Sequence, residues 1–213
     1  MPVIHKEYIN SHILIGLWRI TEKADVMLKS IDLRDEEKLL YTGFRTEERR
    51  KQWLSYRLLI KELTQPDNYP VHYNDSGKPF LAGSKYHLSV SHTGQMSAVI
   101  LSDHMSVGID IEMIRPRIIR VKEKYLSHEE LMSVPYGEEV ECLTLYWCAK
   151  EALYKLFGER NLDFRENMQL EAMEKVGTSG SLCGRIIVPG FTKKYKLAYE
   201  NFNEYMLVYA YSD

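Results

Sequence analysis

Apolar and polar positions along the 213-residue chain repeat with two different periods, and the switches between them mark the elements. Downstream of Thr46, the residues Trp53, Leu54, Leu58, Leu59 and Ile60 fall at helical spacing, the stripe a helix needs to bury one side. Thr46 suits an N-cap, Glu47 and Glu48 suit the positive end of the helix, and the helix is expected to stop before Pro66. A turn-rich stretch follows, Asn74-Asp75-Ser76-Gly77-Lys78-Pro79. Three strand-like runs come next, at about 86–91, 96–101 and 107–112, separated by stretches short enough for hairpins, so an antiparallel meander is expected. Ser127-His128-Glu129-Glu130 has the spacing of a capping box, and a stronger helix is expected over 138–157, ended by Gly158. Closing strands are expected at 184–188, 194–200 and 205–211. Helix followed by meander thus occurs twice, which predicts an α+β protein of two lobes meeting near residues 102–110. The first 45 residues carry no motif that can be placed.

Composition narrows the function classes. With 45% hydrophobic residues and a formal net charge of -2, the chain has enough apolar surface to fold and lacks the basic excess of a nucleic-acid-coating protein. No nucleic-acid partner is expected. Cys142, Cys148 and Cys183 cannot all pair and match no zinc spacing, which fits a reducing, cytoplasmic setting. The run from Ile13 to Trp18 is too short to span a membrane and is followed by Arg19 and Glu22. Neither a membrane segment nor a targeting segment is expected.

The most informative segment is Val107-Gly108-Ile109-Asp110-Ile111-Glu112. On a strand, Val107, Ile109 and Ile111 share one face, while Gly108, Asp110 and Glu112 share the other. Two residues of rise set the two carboxylates about 6.5 Å apart, and Gly108 leaves that face bare for a close approach. Hard oxygens with room for phosphate and water are what Mg²⁺ requires. The competing reading is a solvated acidic face on a half-exposed strand. On the later helix, Trp147, Glu151 and Lys155 stand four residues apart on one side. Glu151 lies in a run rich in apolar residues, where a carboxylate is costly unless paired or metal-bound; the alternative is a surface pair with Lys155. Lys78 is held extended by Pro79 and can reach a phosphate, or serve as a turn lysine. Ser91 and His92 close a strand and can both donate to phosphate oxygens. Arg49, Arg50, Lys51 and Arg57 give a basic helix surface whose default reading is solvation.

The order of these blocks carries more than any one of them. Gly77-Lys78-Pro79, then Ser91-His92, then Gly108-Ile109-Asp110-Ile111-Glu112, then Trp147-Cys148-Ala149-Lys150-Glu151-Ala152-Leu153-Tyr154-Lys155 resembles the Sfp-type 4'-phosphopantetheinyl transferases. That resemblance implies an α+β monomer of two pseudo-symmetric lobes, each an antiparallel sheet packed with a long helix. The lobes would be residues 1–105 and 106–213, with coenzyme A between them. It implies transfer of 4'-phosphopantetheine from coenzyme A to a serine of an acidic apo acyl or peptidyl carrier protein, with release of adenosine 3',5'-bisphosphate. By position, Asp110, Glu112 and Glu151 match the family's Mg²⁺ ligands, Mn²⁺ being the alternative ion. Lys78, Ser91, His92 and Lys155 match its coenzyme A phosphate contacts. Arg50 and Lys51 fall where the family places basic residues for the 3'-phosphate. Glu130 matches an acidic position discussed as a base, and it is also N3 of the capping box; the proton acceptor is left between Glu151 and Glu130. Cys148 departs from a position that is often Ser. The basic run Arg115, Arg117, Arg120, Lys122 and Lys124 reads either as a docking strip for the carrier or as a solvated face. Two other functions share these residues: a Mg²⁺-dependent phosphohydrolase of coenzyme A or a related nucleotide, and a non-catalytic carrier- or nucleotide-binding protein. Three metal-facing carboxylates exceed what simple binding requires.

Overall fold

The computed structural model describes residues 3–67, 69–159, 161–202 and 204–212. In chain order they form strands β1 (Val3–Asn10) and β2 (Ile13–Arg19), helices α1 (Ala24–Leu28), α2 (Asp35–Gly43) and α3 (Glu47–Thr64), and strands β3 (Val71–Tyr73), β4 (Pro79–Leu81), β5 (His87–Thr93), β6 (Met96–Ser102) and β7 (Val107–Met113). A 3-10 helix (Pro116–Lys124) leads to α4 (His128–Met132) and α5 (Glu139–Phe157), then to β8 (Met168–Leu170), β9 (Ser179–Val188), β10 (Phe191–Phe202) and β11 (Tyr205–Tyr211). The strands make two larger antiparallel sheets, ordered β1-β2-β6-β5 and β7-β11-β10-β9-β8, and a β3-β4 ribbon. Each large sheet is covered by one long helix, α3 on the first and α5 on the second. The α+β class expected from the sequence is the observed one.

Local chemistry explains the helix ends. The Thr46 hydroxyl accepts the Arg49 backbone N–H at 3.2 Å, a cap of the kind that contributes about 1 kcal/mol. Ser127 and Glu130 form the expected capping box at α4. Gly158 ends α5 at φ 76°, the left-handed conformation for which glycine has no steric penalty.

Alternation splits β2 between two cores. Leu14 and Trp18 pack with Leu54 and Leu59 of α3, whereas Ile13, Ile15 and Leu17 face the second sheet. There they meet Ile109 and Ile111 of β7 and Leu207 and Tyr209 of β11, so the two sheets share an apolar interior. This corrects the expected meander. β5 and β6 form an antiparallel hairpin, but both edges of β6 are taken, by β2 and β5. β7 therefore crosses to the other sheet and pairs with β11 from Val107↔Tyr211 to Met113↔Tyr205.

The face of β7 that carries Gly108 is not open, as the sequence suggested. Helix α5 lies directly on it: a Cβ placed on Gly108 would sit 2.0 Å from the Ala152 carbonyl oxygen and 2.8 Å from the Leu156 nitrogen. At Gly16 a Cβ would meet only the flexible ends of Leu59 and Leu63, at 2.9 Å. Gly108→Ala is therefore expected to destabilise the protein by about 3 kcal/mol or more, and Gly16→Ala by clearly less, because side-chain ends yield and helix backbone does not. Urea unfolding of the two variants checks the order; equal losses would contradict the close packing of α5 on β7.

Candidate active site

Strands β5 and β7 are the neighbouring edges of the two large sheets, and they are joined by side chains. On β5 the hydroxyls alternate, Ser89, Ser91 and Thr93. Ser89 Oγ accepts the backbone N–H of Ile109 at 3.1 Å, Ser91 donates to Asp110 Oδ1 at 2.7 Å, and Thr93 donates to Glu112 Oε2 at 2.8 Å. From the other side, α5 presents Trp147, Glu151 and Lys155 one turn apart. Lys155 Nζ donates to Asp110 Oδ1 at 2.7 Å and to the Ile109 carbonyl at 3.1 Å. Lys155 is thus paired with Asp110 and not with Glu151.

These groups line one cavity of about 670 Å³. Ser91, His92, Asp110, Glu112, Trp147, Glu151 and Lys155 form one part of its wall, and Leu40, Phe44, Arg49, Trp53, Tyr56 and Tyr73 another. The sequence brings six of its candidates here: Ser91, His92, Asp110, Glu112, Glu151 and Lys155. Lys78 lies alongside, lining a smaller adjoining cavity of about 200 Å³ that also touches Lys155. Its Nζ donates to the Lys155 carbonyl at 2.7 Å, at the C-terminal end of α5, where positive charge is favoured. Burial lowers the Lys78 pKa.

The remaining candidates lie elsewhere. Arg50 donates through Nε to the Phe44 carbonyl at 3.1 Å and covers the Tyr41 ring, and neither Arg50 nor Lys51 lines the cavity. Arg49 takes that place, with Nη1 2.8 Å from His92 Nε2. Arg57, expected on a solvated surface, is buried, pairs with Glu37 and stacks 3.9 Å over Trp53. Arg49, Trp53 and Tyr56 stand at i, i+4 and i+7 on α3, so a shared helix face was the available signal. Glu130 is also withdrawn: it is 4% exposed, and both its oxygens are engaged. Oε2 accepts Ser127 N–H at 2.8 Å and the fully buried Lys150 Nζ at 2.7 Å, and Oε1 accepts Leu170 N–H at 2.9 Å. Breaking such a buried pair costs about 3–5 kcal/mol, which makes Glu130 a structural carboxylate. Cys148 sits in the core, its Sγ against the Met206 carbonyl.

The electrostatics are those of an acidic site short of positive charge. Burial first, then the like charge of Asp110, raises the Glu151 pKa to about 7, against which Lys155 works only in part. Burial and Asp110 raise Glu112 as well, and the Thr93 hydroxyl opposes them. Burial, then the nearby Arg49 and Lys155 charges, lower His92 to about 4, so its ring is neutral at pH 7. Asp110 Oδ2 is buried with no protein partner, an acceptor left over once Oδ1 has taken Ser91 and Lys155. Among the described residues no three His, Cys, Asp or Glu side chains stand together at metal-ligand spacing. The donor chemistry nevertheless fits a hard divalent cation: three carboxylates face one cavity, one of them with an orphan buried oxygen, and two are raised by burial and then by the charge of Asp110.

Comparison with known proteins agrees with this geometry. Residues 106–209 match the model of the 4'-phosphopantetheinyl transferase superfamily. The chain is 34% identical over 116 residues to the 4'-phosphopantetheinyl transferase AcpT of Salmonella typhimurium, a match covering 52% of this chain and 60% of that relative. The corresponding Escherichia coli protein is 33% identical over 116 residues, covering 52% and 59%. The 4'-phosphopantetheinyl transferase psf-1 of Bacillus pumilus is 33% identical over 88 residues, covering 39% of this chain and 37% of that relative. The match thus spans about three fifths of the enterobacterial relatives' length. The matched segment holds β7 and α5, hence Asp110, Glu112, Glu151 and Lys155. No helix among the described residues is long and apolar enough to cross a membrane.

A titration tests the charge balance. Without divalent ions, one glutamate is expected to titrate near pH 7, seen by carbon NMR of labelled side-chain carboxyls, and the signal is expected to vanish in Glu151→Gln. The raised value means the folded state holds a proton that the unfolded state releases above about 4.5. This group therefore makes stability fall as pH rises from about 4.5 to about 7. All glutamates titrating below pH 5.5 would remove the crowding of carboxylates inferred here.

Proposed function

We propose that the chain is a 4'-phosphopantetheinyl transferase, moving the phosphopantetheine arm of coenzyme A to a serine of an apo carrier protein and releasing adenosine 3',5'-bisphosphate. The observation carrying this reading is the convergence of Asp110, Glu112, Glu151 and Lys155 on one cavity whose other wall is basic and aromatic. In the same proposal residues 1–105 and 106–213 are two lobes, with coenzyme A between them. Both walls come from one chain, which suits a monomer. The free Cys142, Cys148 and Cys183 suit a reducing cytoplasm.

The reaction has two obstacles, negative charge on the pyrophosphate and a poorly nucleophilic serine hydroxyl. A divalent cation, Mg²⁺ or Mn²⁺, held by Asp110, Glu112 and Glu151 would supply charge neutralisation at the pyrophosphate. Lys155 stands beside the same oxygens and fixes Asp110 while offering its charge to a phosphate. Arg49, which donates to His92 Nε2, would offer an anion contact across the cavity, and Lys78 lies beside Lys155 at the end of α5. Glu151, or a water held beside it, would accept the serine proton. Glu130 has no free oxygen for that role.

The carrier surface follows from the adjoining cleft. Arg115, Arg117 and Arg120 flank an opening of about 370 Å³ whose floor includes Met113, Ile118, Val121 and Trp147, and which shares Glu112 and Trp147 with the main cavity. A basic rim around an apolar floor suits an acidic helical carrier delivering its serine to the cavity.

Incubation with coenzyme A, Mg²⁺ and an apo carrier, read by intact mass, tests the whole reading. Transfer is expected to add one phosphopantetheine to the carrier. Cleavage of coenzyme A without carrier would instead mark a phosphohydrolase, and binding without turnover a non-catalytic protein. Asp110→Ala is expected to remain folded and to lose transfer by at least about a thousandfold, the scale of a lost electrostatic group at a reacting centre. Full carrier modification by this variant would remove Asp110 from the chemistry. Charge reversal at Arg117 and Arg120 is expected to raise the KM for carrier about tenfold and leave that for coenzyme A unchanged; an unchanged carrier KM rejects the docking strip.

A further inference from the structure

The join between β5 and β7 has a pattern that a purely structural seam does not need. The two strands run in the same direction as edge neighbours of different sheets, and contacts climb them in step: Ser89 to Ile109, Ser91 to Asp110, Thr93 to Glu112. Leu88 and Val90, which alternate with Ser89 and Ser91, turn the other way into the α3 core. The lowest contact fixes the β7 backbone immediately before Asp110. Each of the upper two places a single hydroxyl on a single oxygen of a carboxylate. Ser91 takes Asp110 Oδ1, leaving Oδ2 the buried oxygen without a partner. Thr93 takes Glu112 Oε2. Asp110 has a second anchor in Lys155, but the Thr93 hydroxyl is the protein donor recorded on the Glu112 carboxylate among the described residues.

From this arrangement, and resting on the transferase reading, we infer that Thr93 is a positioning residue that sets the Glu112 carboxylate for a divalent cation, so that the first sheet orients a ligand carried by the second. A glutamate near the end of a strand has several rotamers open to it. A hydroxyl that holds one oxygen removes most of them before the cation arrives. Partners of this kind, one step removed from the ion, typically change metal affinity by about 10–100-fold when lost. Ser91 acts alike on Asp110, with Lys155 as a second restraint; at Glu112, Thr93 supplies the side-chain hydrogen bond found among the described residues. The substitution Thr93→Val keeps the shape and removes only the donor, and Thr93→Ser keeps the donor and removes only a methyl group.

The test is a Mn²⁺ titration of the full chain with coenzyme A present and no carrier, read by the loss of the free-ion electron paramagnetic resonance signal. Thr93→Val is expected to weaken Mn²⁺ binding about tenfold while coenzyme A affinity without metal stays within twofold of wild type. Thr93→Ser is expected to restore Mn²⁺ binding to within twofold. In carrier modification, Thr93→Val is expected to demand correspondingly more Mg²⁺ at an unchanged KM for carrier. Wild-type Mn²⁺ affinity in Thr93→Val overturns the inference. So does a loss that metal-free coenzyme A binding shares, which marks a merely structural role, and so does a failure of Thr93→Ser to restore binding. A chain that binds Mn²⁺ through Thr93 but transfers nothing to any carrier defeats the transferase reading and leaves the positioning role standing.

Discussion

Everything at the site depends on a backbone meeting backbone. Because position 108 has no side chain, α5 lies on β7 with the Ala152 carbonyl where a Cβ would otherwise stand. That approach fixes which turn of α5 faces which residue of β7. It brings Lys155 to hydrogen-bond distance of Asp110 and carries Glu151 to the same cavity, although the two segments are separated by the 3-10 helix and α4. An ordinary strand-to-helix spacing, filled by side chains, would hold the lysine and the carboxylate apart.

Helix α5 also shows how one element separates structural from reactive charge. Lys150 and Glu151 are adjacent, so their side chains leave the helix about 100° apart. Lys150 turns inward, where its ammonium is ringed by Glu130 and by the carbonyls of Tyr125, Phe164 and Met168. Burial lowers its pKa, and Glu130 works against that shift. Glu151 turns to the cavity, where burial first and then the charge of Asp110 push its carboxyl up. The satisfied pair ties α4 and the start of β8 to α5; the other carboxylate is left facing the cavity.

Much of this was legible in the chain itself, and the failures have physical causes. Local signals held: the Thr46 cap, the Ser127–Glu130 box, Gly158 and the alternation of β7 all describe interactions within a few residues. The path of β7 was misread because strand pairing depends on which edges are already occupied, and β2 occupies β6 from the far end of the sequence. Gly108 was correctly singled out for the closeness it permits, but the neighbour is a helix. Arg57 looked solvated because its partner Glu37 lies in the motif-free first 45 residues. Arg49 was read as part of a solvated helix surface and Trp53 as part of the core stripe; Trp53 and Tyr56 are core residues that also form a cavity wall beside Arg49. The capping box at Glu130 already hinted that this carboxylate was occupied, and Lys150 completed its occupation from a distance no local pattern records.

The bonds around Lys155 form a closed circuit. Lys78 grips its carbonyl from the first sheet's side, its own ammonium grips Asp110, and Ser91 returns the path to β5. A hinge between the two sheets would have to sever both crossings at once, along with the apolar interior behind them. Breathing of the mouth is therefore confined to elements outside the circuit. The jaw that carries the carboxylates is thus held at a constant width by hydrogen bonds as well as by packing.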